Sequence, residues 1–237
     1  MSTFSHLSAH SHYSLLNALP QIDHLVDAAA NFGMPALALT DRGNLYGAIE
    51  FYKSCTKKGV KPIIGVDIDF AIAGVTGHLI LLAENYVGYQ NLLKLVSRAN
   101  LDSPAQPKIV ERDVEEFGRG IIWLIPDTAL IQASGGALVE RLMRASDMQN
   151  VYARLGWNGL SGQGGRERQM RTAGVAAGLK VPLIAADGTY YLKPDDKDAR
   201  DIVRRIQDPT AVADGNDRAF ASPATLEERY RDFPEAV

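Results

Sequence analysis

Short apolar runs alternate with stretches of helical periodicity along this chain, and that alternation restricts the fold more than any other feature. The runs fall at 4–10, 36–40, 62–70, 78–83, 120–125, 151–155 and 181–186. Between them apolar residues recur with helical spacing. Ile22, Leu25, Val26 and Ala29 fall at i, i+3, i+4 and i+7, with Gly33 placed to close the helix. Tyr46, Ile49 and Tyr52 mark a second apolar helix face, ending at Gly59. Further helices are marked by Leu92, Leu93 and Val96, by Leu138, Leu142 and Met143, by Met170, Val175 and Leu179, and by Ile202 and Ile206. Near-continuous apolar strands separated by helices imply a parallel sheet buried on both faces. About seven such units in 237 residues predict an α/β fold, a distorted seven-unit β/α (TIM-like) barrel over 1–206. Residues 101–118 read as an excursion between units, and 207–237 as a polar, peripheral C-terminal appendage.

Composition narrows the class. Hydrophobic residues make up 46% and charged residues 22%, values of a chain that folds rather than one that stays disordered. Twenty-five Lys and Arg against 28 Asp and Glu leave a charge of −3, and the pI of about 6.0 argues against a dedicated nucleic-acid-binding domain. A lone cysteine, Cys55, rules out a disulfide framework and predicts a reducing, cytoplasmic setting with the thiol as a packing residue. No apolar run approaches the roughly 20 residues of a membrane helix, and no secretion signal is evident.

In parallel α/β folds, sites gather at the C-terminal ends of strands. The first such end carries His6, Ser8, His10 and His12, which share one face if the strand persists. The second ends Thr40-Asp41-Arg42-Gly43-Asn44, the third carries Asp67 and Asp69, and the fourth begins at His78. His10, Asp41, Asp67 and His78 form a ligand set suited to Zn²⁺ or Mn²⁺. Singly each reads equally as a turn, cap or packing residue. Arg42 opposes the metal reading, because a guanidinium repels a dication but pairs with carboxylates in its absence. Elsewhere, Arg166, Arg168, Arg171, Arg200, Arg204 and Arg205 offer either a basic surface or a solvated helix face. Trp123 reads as core, and the glycine-rich stretch 162–165 as a loop rather than a phosphate cradle.

Several segments resemble the N-terminal PHP (polymerase and histidinol phosphatase) domain of bacterial DNA polymerase III α subunits. They are Phe4-Ser-His-Leu-Ser-Ala-His-Ser-His through Asn17, Met34-Pro-Ala-Leu-Ala-Leu-Thr-Asp-Arg-Gly-Asn, and Gly59-Val-Lys-Pro-Ile-Ile-Gly-Val-Asp67. The likeness continues through His78-Leu-Ile-Leu-Leu-Ala-Glu-Asn, Val181-Pro-Leu-Ile-Ala-Ala-Asp and Tyr191-Leu-Lys-Pro-Asp-Asp. Ser222-Pro-Ala-Thr-Leu-Glu-Glu and Phe233-Pro-Glu-Ala are similar to the segment leading into a polymerase core that this chain does not contain.

The resemblance implies a barrel that, in its active form, holds up to three metal ions for phosphoester hydrolysis by activated water. Carried over residue by residue, its ligand positions are depleted here. Ser8 stands for the first histidine of H-x-H while His10 is kept, and Asn17 replaces a carboxylate. Arg42 follows Asp41 where histidine is usual, Asp67 replaces glutamate, and His78 is retained. Asp127 falls at the fifth-strand cysteine position, and Gly188 and Tyr190 replace the closing Asp-x-His. His6, His12, Asp127 and Asp187 are the side chains able to compensate. The resemblance therefore predicts a degenerate site with no catalytic residues and no bound metal, in which Arg42 bridges Asp41 and Asp67. The implied role is a scaffold within a replicative DNA polymerase III α subunit, with the rest of that subunit and the proofreading exonuclease as partners and DNA met through the polymerase. The alternative is a metal-dependent phosphoesterase or 3′–5′ exonuclease holding Zn²⁺ or Mn²⁺ on His10, Asp41, Asp67 and His78. The polymerase's own nucleotidyltransferase carboxylates have no room in a chain of this length. A free-standing binding module on the same barrel is the third possibility.

Overall fold

The computed structural model describes residues 4–146, 148–157, 163–213, 215 and 217–236. Seven strands are found among them: β1 (Ala36–Leu39), β2 (Lys61–Ile72), β3 (Val75–Ala83), β4 (Lys108–Val110), β5 (Ile121–Pro126), β6 (Val151–Leu155) and β7 (Leu183–Ala185). They form one curled sheet of order β1-β2-β3-β5-β6-β7, with β4 added beside β2. Ala9 bridges in parallel to both Leu39 and Thr189, which draws the two ends of the sheet together into a distorted TIM-like barrel. The helices are α1 (Ile22–Asn31), α2 (Ala48–Lys58), α3 (Tyr86–Asp102), α4 (Glu111–Phe117), α5 (Asp127–Leu130), α6 (Gly135–Ala145), α7 (Gln163–Leu179), α8 (Lys197–Gln207) and α9 (Pro223–Arg229). No helix among the described residues is long and apolar enough to cross a membrane.

Inside the barrel Ala38, Ile80, Leu82, Leu124 and Ala186 pack together, and the larger apolar cluster lies outside it, between the sheet and α3, α4, α6 and α7. Trp123 is fully buried there, as its apolar surroundings predict. Helix α1 buries Ile22, Leu25, Val26 and Ala29, the predicted stripe, and the chain leaves it through Gly33 at φ +66°. Gly59, at φ +72°, ends α2 in the left-handed conformation that glycine adopts at no steric cost.

The expectation of a wholly parallel sheet is corrected at β3, which runs antiparallel to both β2 and β5. The cause is the turn at Ala73 (φ +52°) and Gly74 (φ +77°). Two positive φ values in succession suit a tight hairpin, so no crossover helix separates these strands. Residues 4–10 do not form a strand and meet the sheet through the bridges at Ala9 and the hydrogen bond that Ala38 N–H donates to the His6 carbonyl at 2.8 Å. Residues 101–118 are no excursion: β4 pairs with β2, and α4 packs Val114 and Phe117 into the outer cluster.

Two expected helix faces are inverted. Tyr46, Ile49 and Tyr52 are 72%, 60% and 55% exposed, and α2 instead buries Ala48, Phe51, Ser54 and Cys55. Ile202 and Ile206 likewise face outward while α8 buries Arg200 and Asp201, and Met170 is exposed on α7. Gly162 lies outside the described residues, and Gln163 to Gly165 open α7 rather than a loop. The stretch expected to be peripheral is largely exposed over 207–213 but not from Ala219 onward. Phe220, Ala221, Leu226, Tyr230, Phe233 and Ala236 are all buried, most of them against Phe4, Leu155 and Ala185.

Candidate functional site

The site grows out of the backbone pairing that follows β1. Past Leu39, Asp67 N–H donates to the Asp41 carbonyl at 3.1 Å and Gly43 N–H donates to the Asp67 carbonyl at 2.8 Å. This fixes Arg42 beside Asp67. The guanidinium spans two carboxylates: Nη1 donates to Asp67 at 2.8 Å and Nη2 to Asp69 at 2.6 Å. Asp69 lies directly across the hairpin from His78, whose Nδ1 contacts its carboxylate. On the inner side His10 Nε2 faces Asp67 at 3.3 Å while its Nδ1 faces the Thr189 carbonyl at 3.1 Å. A continuous chain therefore runs from His10 through Asp67, Arg42 and Asp69 to His78.

The charges in this chain support one another. Burial alone would raise the Asp67 pKa, but the His10 contact and the Arg42 guanidinium hold it well below the usual carboxylate range. Asp69 is lowered in the same way, with His78 and Arg42 outweighing its partial burial. Burial works against the Arg42 charge, yet Asp67 and Asp69 raise its pKa above the ordinary guanidinium value.

Asp41 departs from the expected bridge. Its carboxylate accepts from Ser11 N–H (2.7 Å), Ser11 Oγ (2.7 Å) and Ser14 Oγ (2.6 Å), and it is 1% exposed. It anchors the turn at 11–14 and makes no contact with the Arg42 guanidinium, which pairs with Asp69 instead. The difference is one of reach: Asp41 is adjacent to Arg42 in sequence and turns inward, whereas Asp69 shares the face of β2 with Asp67.

The remaining positions divide. Tyr190 stacks flat on His10, with ring centroids 4.1 Å apart and planes 9° apart. Arg200 covers the Tyr190 ring at 4.2 Å and donates to the Asn17 side chain at 3.1 Å and to its carbonyl at 2.9 Å. Ser8 is buried beside Gly188, with no hydrogen-bond partner for its Oγ. Asp127 pairs with Arg168, and no hydrogen bond or ion pair among the described residues joins it to the Arg42 chain. His6 packs against Phe4 and Phe220 with Nε2 2.9 Å from the Ala221 carbonyl, and the His12 ring lies tilted against Tyr13. Asp187 is held by Arg229 (2.8 Å), Trp157 N–H (2.7 Å) and the Tyr230 hydroxyl. None of these three substitutes for a missing ligand. The basic surface is partly neutralised, since Arg166 pairs with Asp232, Arg168 with Asp127 and Arg204 with Asp201, and Arg200 is buried.

A divalent cation does not fit these residues as they stand. The Arg42 guanidinium occupies Asp67 Oδ1, Ser11 and Ser14 occupy both oxygens of Asp41, and Gly188 brings no side chain to the closing ligand position. Among the described residues no three His, Cys, Asp or Glu side chains converge as a ligand set. Sequence reasoning named Asp69 and Arg200 but gave neither its role in the site. Asp69 was recoverable from its pairing with His78 across the hairpin at Ala73-Gly74. Arg200 carried no signal, because a buried arginine on a polar helix reads as a surface charge.

Fold and site together define a TIM-like β/α barrel with a charged cluster at its mouth. The chain belongs to the PHP domain family, whose model matches residues 6–156. It is 31% identical over its whole length to the DNA polymerase III subunit alpha of Borreliella burgdorferi, and 31% identical over 99% of its length to that of Bacillus subtilis. The chain spans only 23% and 22% of those relatives. Among solved structures it is similar to a candidate metal-dependent phosphoesterase from Bifidobacterium adolescentis, with TM-score 0.52 and 10% identity over 97% of each chain. A two-domain protein from Bacteroides vulgatus containing a predicted PHP-like metal-dependent phosphoesterase matches with TM-score 0.52 and 13% identity, over 80% of this chain and 52% of that one. At such identities these two likenesses show the fold alone.

Proposed function

We infer that this PHP domain works as a catalytically silent scaffold within a cytoplasmic DNA polymerase III α subunit, where it supports the polymerase body and docks the proofreading exonuclease. DNA is met through the polymerase rather than on this barrel. One observation carries the inactivity: the Arg42 guanidinium lies between Asp67 and Asp69, supplying the positive charge that a metal ion would otherwise bring. The relatives that match the full chain support the setting.

The test is hydrolysis of bis(p-nitrophenyl) phosphate and of single-stranded DNA by the purified chain with Mn²⁺ or Zn²⁺. The scaffold reading expects no turnover above that of an Asp67→Asn variant. Chelator-sensitive turnover that Asp67→Asn abolishes would replace it with the phosphoesterase reading.

A further inference from the structure

The side chain missing at Gly188 leaves a buried hydroxyl without an acceptor. Ala9 packs with Ile22 and Leu25 outside the barrel, so Ser8 and His10, on either side of it, face the mouth. His10 is engaged by Asp67 and the Thr189 carbonyl, but the Ser8 hydroxyl, in a residue 1% exposed, has no partner. A Cβ on Gly188 would lie 3.8 Å from Ser8 Oγ and 3.5 Å from Arg218 Nη1, with Tyr190 Cε2 at 3.0 Å as the nearest wall. Two donors therefore converge on the position where the family pattern carries its closing carboxylate. A buried hydroxyl that lacks an acceptor is a standing cost to the fold, and it is one that a ligand can relieve.

A guanidinium reaches the same space from the sheet. Arg154 follows Tyr152 by two residues on β6 and so shares its inward face, one step nearer the mouth. Among the described residues no hydrogen bond or ion pair engages it. Burial raises the Tyr190 hydroxyl pKa and Asp67 adds to it, whereas Arg218, Arg154 and Arg200 act to lower it. Three arginines thus direct positive potential at the Tyr190 hydroxyl. The carboxylates that face this space are already committed, Asp67 to Arg42 and His10, and Asp187 to Arg229, Trp157 N–H and the Tyr230 hydroxyl. The unmet demand at this side of the mouth is for negative charge, the reverse of what a metal site requires.

We propose that the barrel mouth binds a small oxyanion, phosphate or carboxylate, directly on Ser8 Oγ and the Arg154 guanidinium beside Gly188, with no metal between. Its oxygens accept the hydrogen bond that the Ser8 hydroxyl lacks and give Arg154 the bidentate partner that a planar guanidinium fits. The step is binding alone, and no bond is made or broken. The proposal rests on the metal-free reading under Proposed function and goes beyond it by naming a ligand of opposite charge.

Inorganic phosphate and acetate are the probes, titrated into the purified chain in chloride buffer with excess chelator at constant ionic strength. Binding is read by calorimetry and by the melting temperature. Three variants sort the outcomes: Arg154→Gln, Ser8→Ala, and Lys57→Gln, which makes the same change of charge at an exposed position of α2. The expected result is saturable binding and a raised melting temperature with at least one probe. Arg154→Gln should weaken it at least about tenfold and Ser8→Ala about threefold, while Lys57→Gln leaves it unchanged. Ser8→Ala removes an unpaired buried hydroxyl, so without anion it should melt at or above the wild-type temperature, and it decides the test alone if Arg154→Gln fails to fold. Either order of affinity supports the site: phosphate above acetate marks a phosphate ligand, and the reverse a carboxylate. No saturable binding, or binding that Arg154→Gln and Ser8→Ala both leave intact, overturns the oxyanion site and leaves the metal-free reading standing. Binding that appears only when Mn²⁺ or Zn²⁺ replaces the chelator overturns both.

Discussion

Arg42 and Arg229 each bridge a pair of aspartates, and they do so for different ends. Arg42 joins Asp67 to Asp69 at the barrel mouth with 29% of its side chain exposed. Arg229 joins Asp187 (2.8 Å) to Asp217 (2.7 Å) with 9% exposed, where α9 closes against the end of β7. At the deeper site every partner contributes to closure. The Tyr230 hydroxyl and Trp157 N–H saturate Asp187, and the Trp157 ring lies beneath the guanidinium at 5.6 Å. At the mouth, two imidazoles take part in place of backbone donors, and the cluster opens to solvent through His78, which is 60% exposed. One bridge is a clamp that ties the C-terminal segment to the barrel. The other fills a site whose carboxylates would repel one another without it.

Arg229→Ala is the harshest way to separate the two. It strands the buried Asp187 carboxylate, so denaturant unfolding should show a loss of about 3–5 kcal/mol. A loss below that of the mouth variants would reverse the ranking of the two bridges. Arg42→Ala should lose about 1–3 kcal/mol, because Asp67 and Asp69 keep their histidines and some solvent. Adding Asp67→Asn to it should return part of that loss, since the uncompensated carboxylate is the main penalty. Simple additivity in this double-mutant cycle would contradict the charge-replacement account.

Acid separates the bridges further. Asp67 and Asp69 have folded pKa values below the unfolded carboxylate value of about 3.9, so protons favour the unfolded chain. Their contribution is fully present above that value and is lost as the pH falls below it. Arg42→Ala should make this acid limb shallower. His6 adds an earlier step: burial pushes its pKa down from 6.5, so its contribution is complete above that pH and declines below it. A stability–pH curve with no slope between pH 6.5 and 5 would contradict the burial of a neutral His6.

Cys55 supplies the mildest comparison. Burial pushes its thiol pKa up to about 12, and it lies in the α2 core away from both bridges. Native protein should therefore resist thiol reagents at pH 8. Labelling should accelerate more in Arg229→Ala than in Arg42→Ala, because exposure of a core thiol tracks opening of the fold.

The barrel was legible in the alternation of apolar runs with helical spacing, because strands buried on both faces and their covering helices leave distinct periods. The antiparallel course of β3 was hidden, since Ala73-Gly74 is a weaker hairpin signal than Asn-Gly and burial looks the same in either direction. The outward faces of α2 and α8 escaped for a shared reason: helical spacing reveals a stripe but not whether anything covers it. At the site, the depleted ligand positions and the charge of Arg42 were readable residue by residue. Its actual partner was not, because choosing Asp69 over Asp41 depends on which face of β2 the third strand end presents.

The central claim is that Arg42 supplies the charge a cation would otherwise bring. Metal content of the untagged chain, measured by plasma mass spectrometry alongside thermal melts with chelator and with added Zn²⁺ or Mn²⁺, tests it most directly. The expected result is a chain without stoichiometric metal whose melting temperature responds to neither chelator nor added ion, and an Arg42→Ala variant that gains a Zn²⁺-dependent rise. Tightly held metal in the wild-type chain, with a melting temperature that chelator lowers, would contradict it.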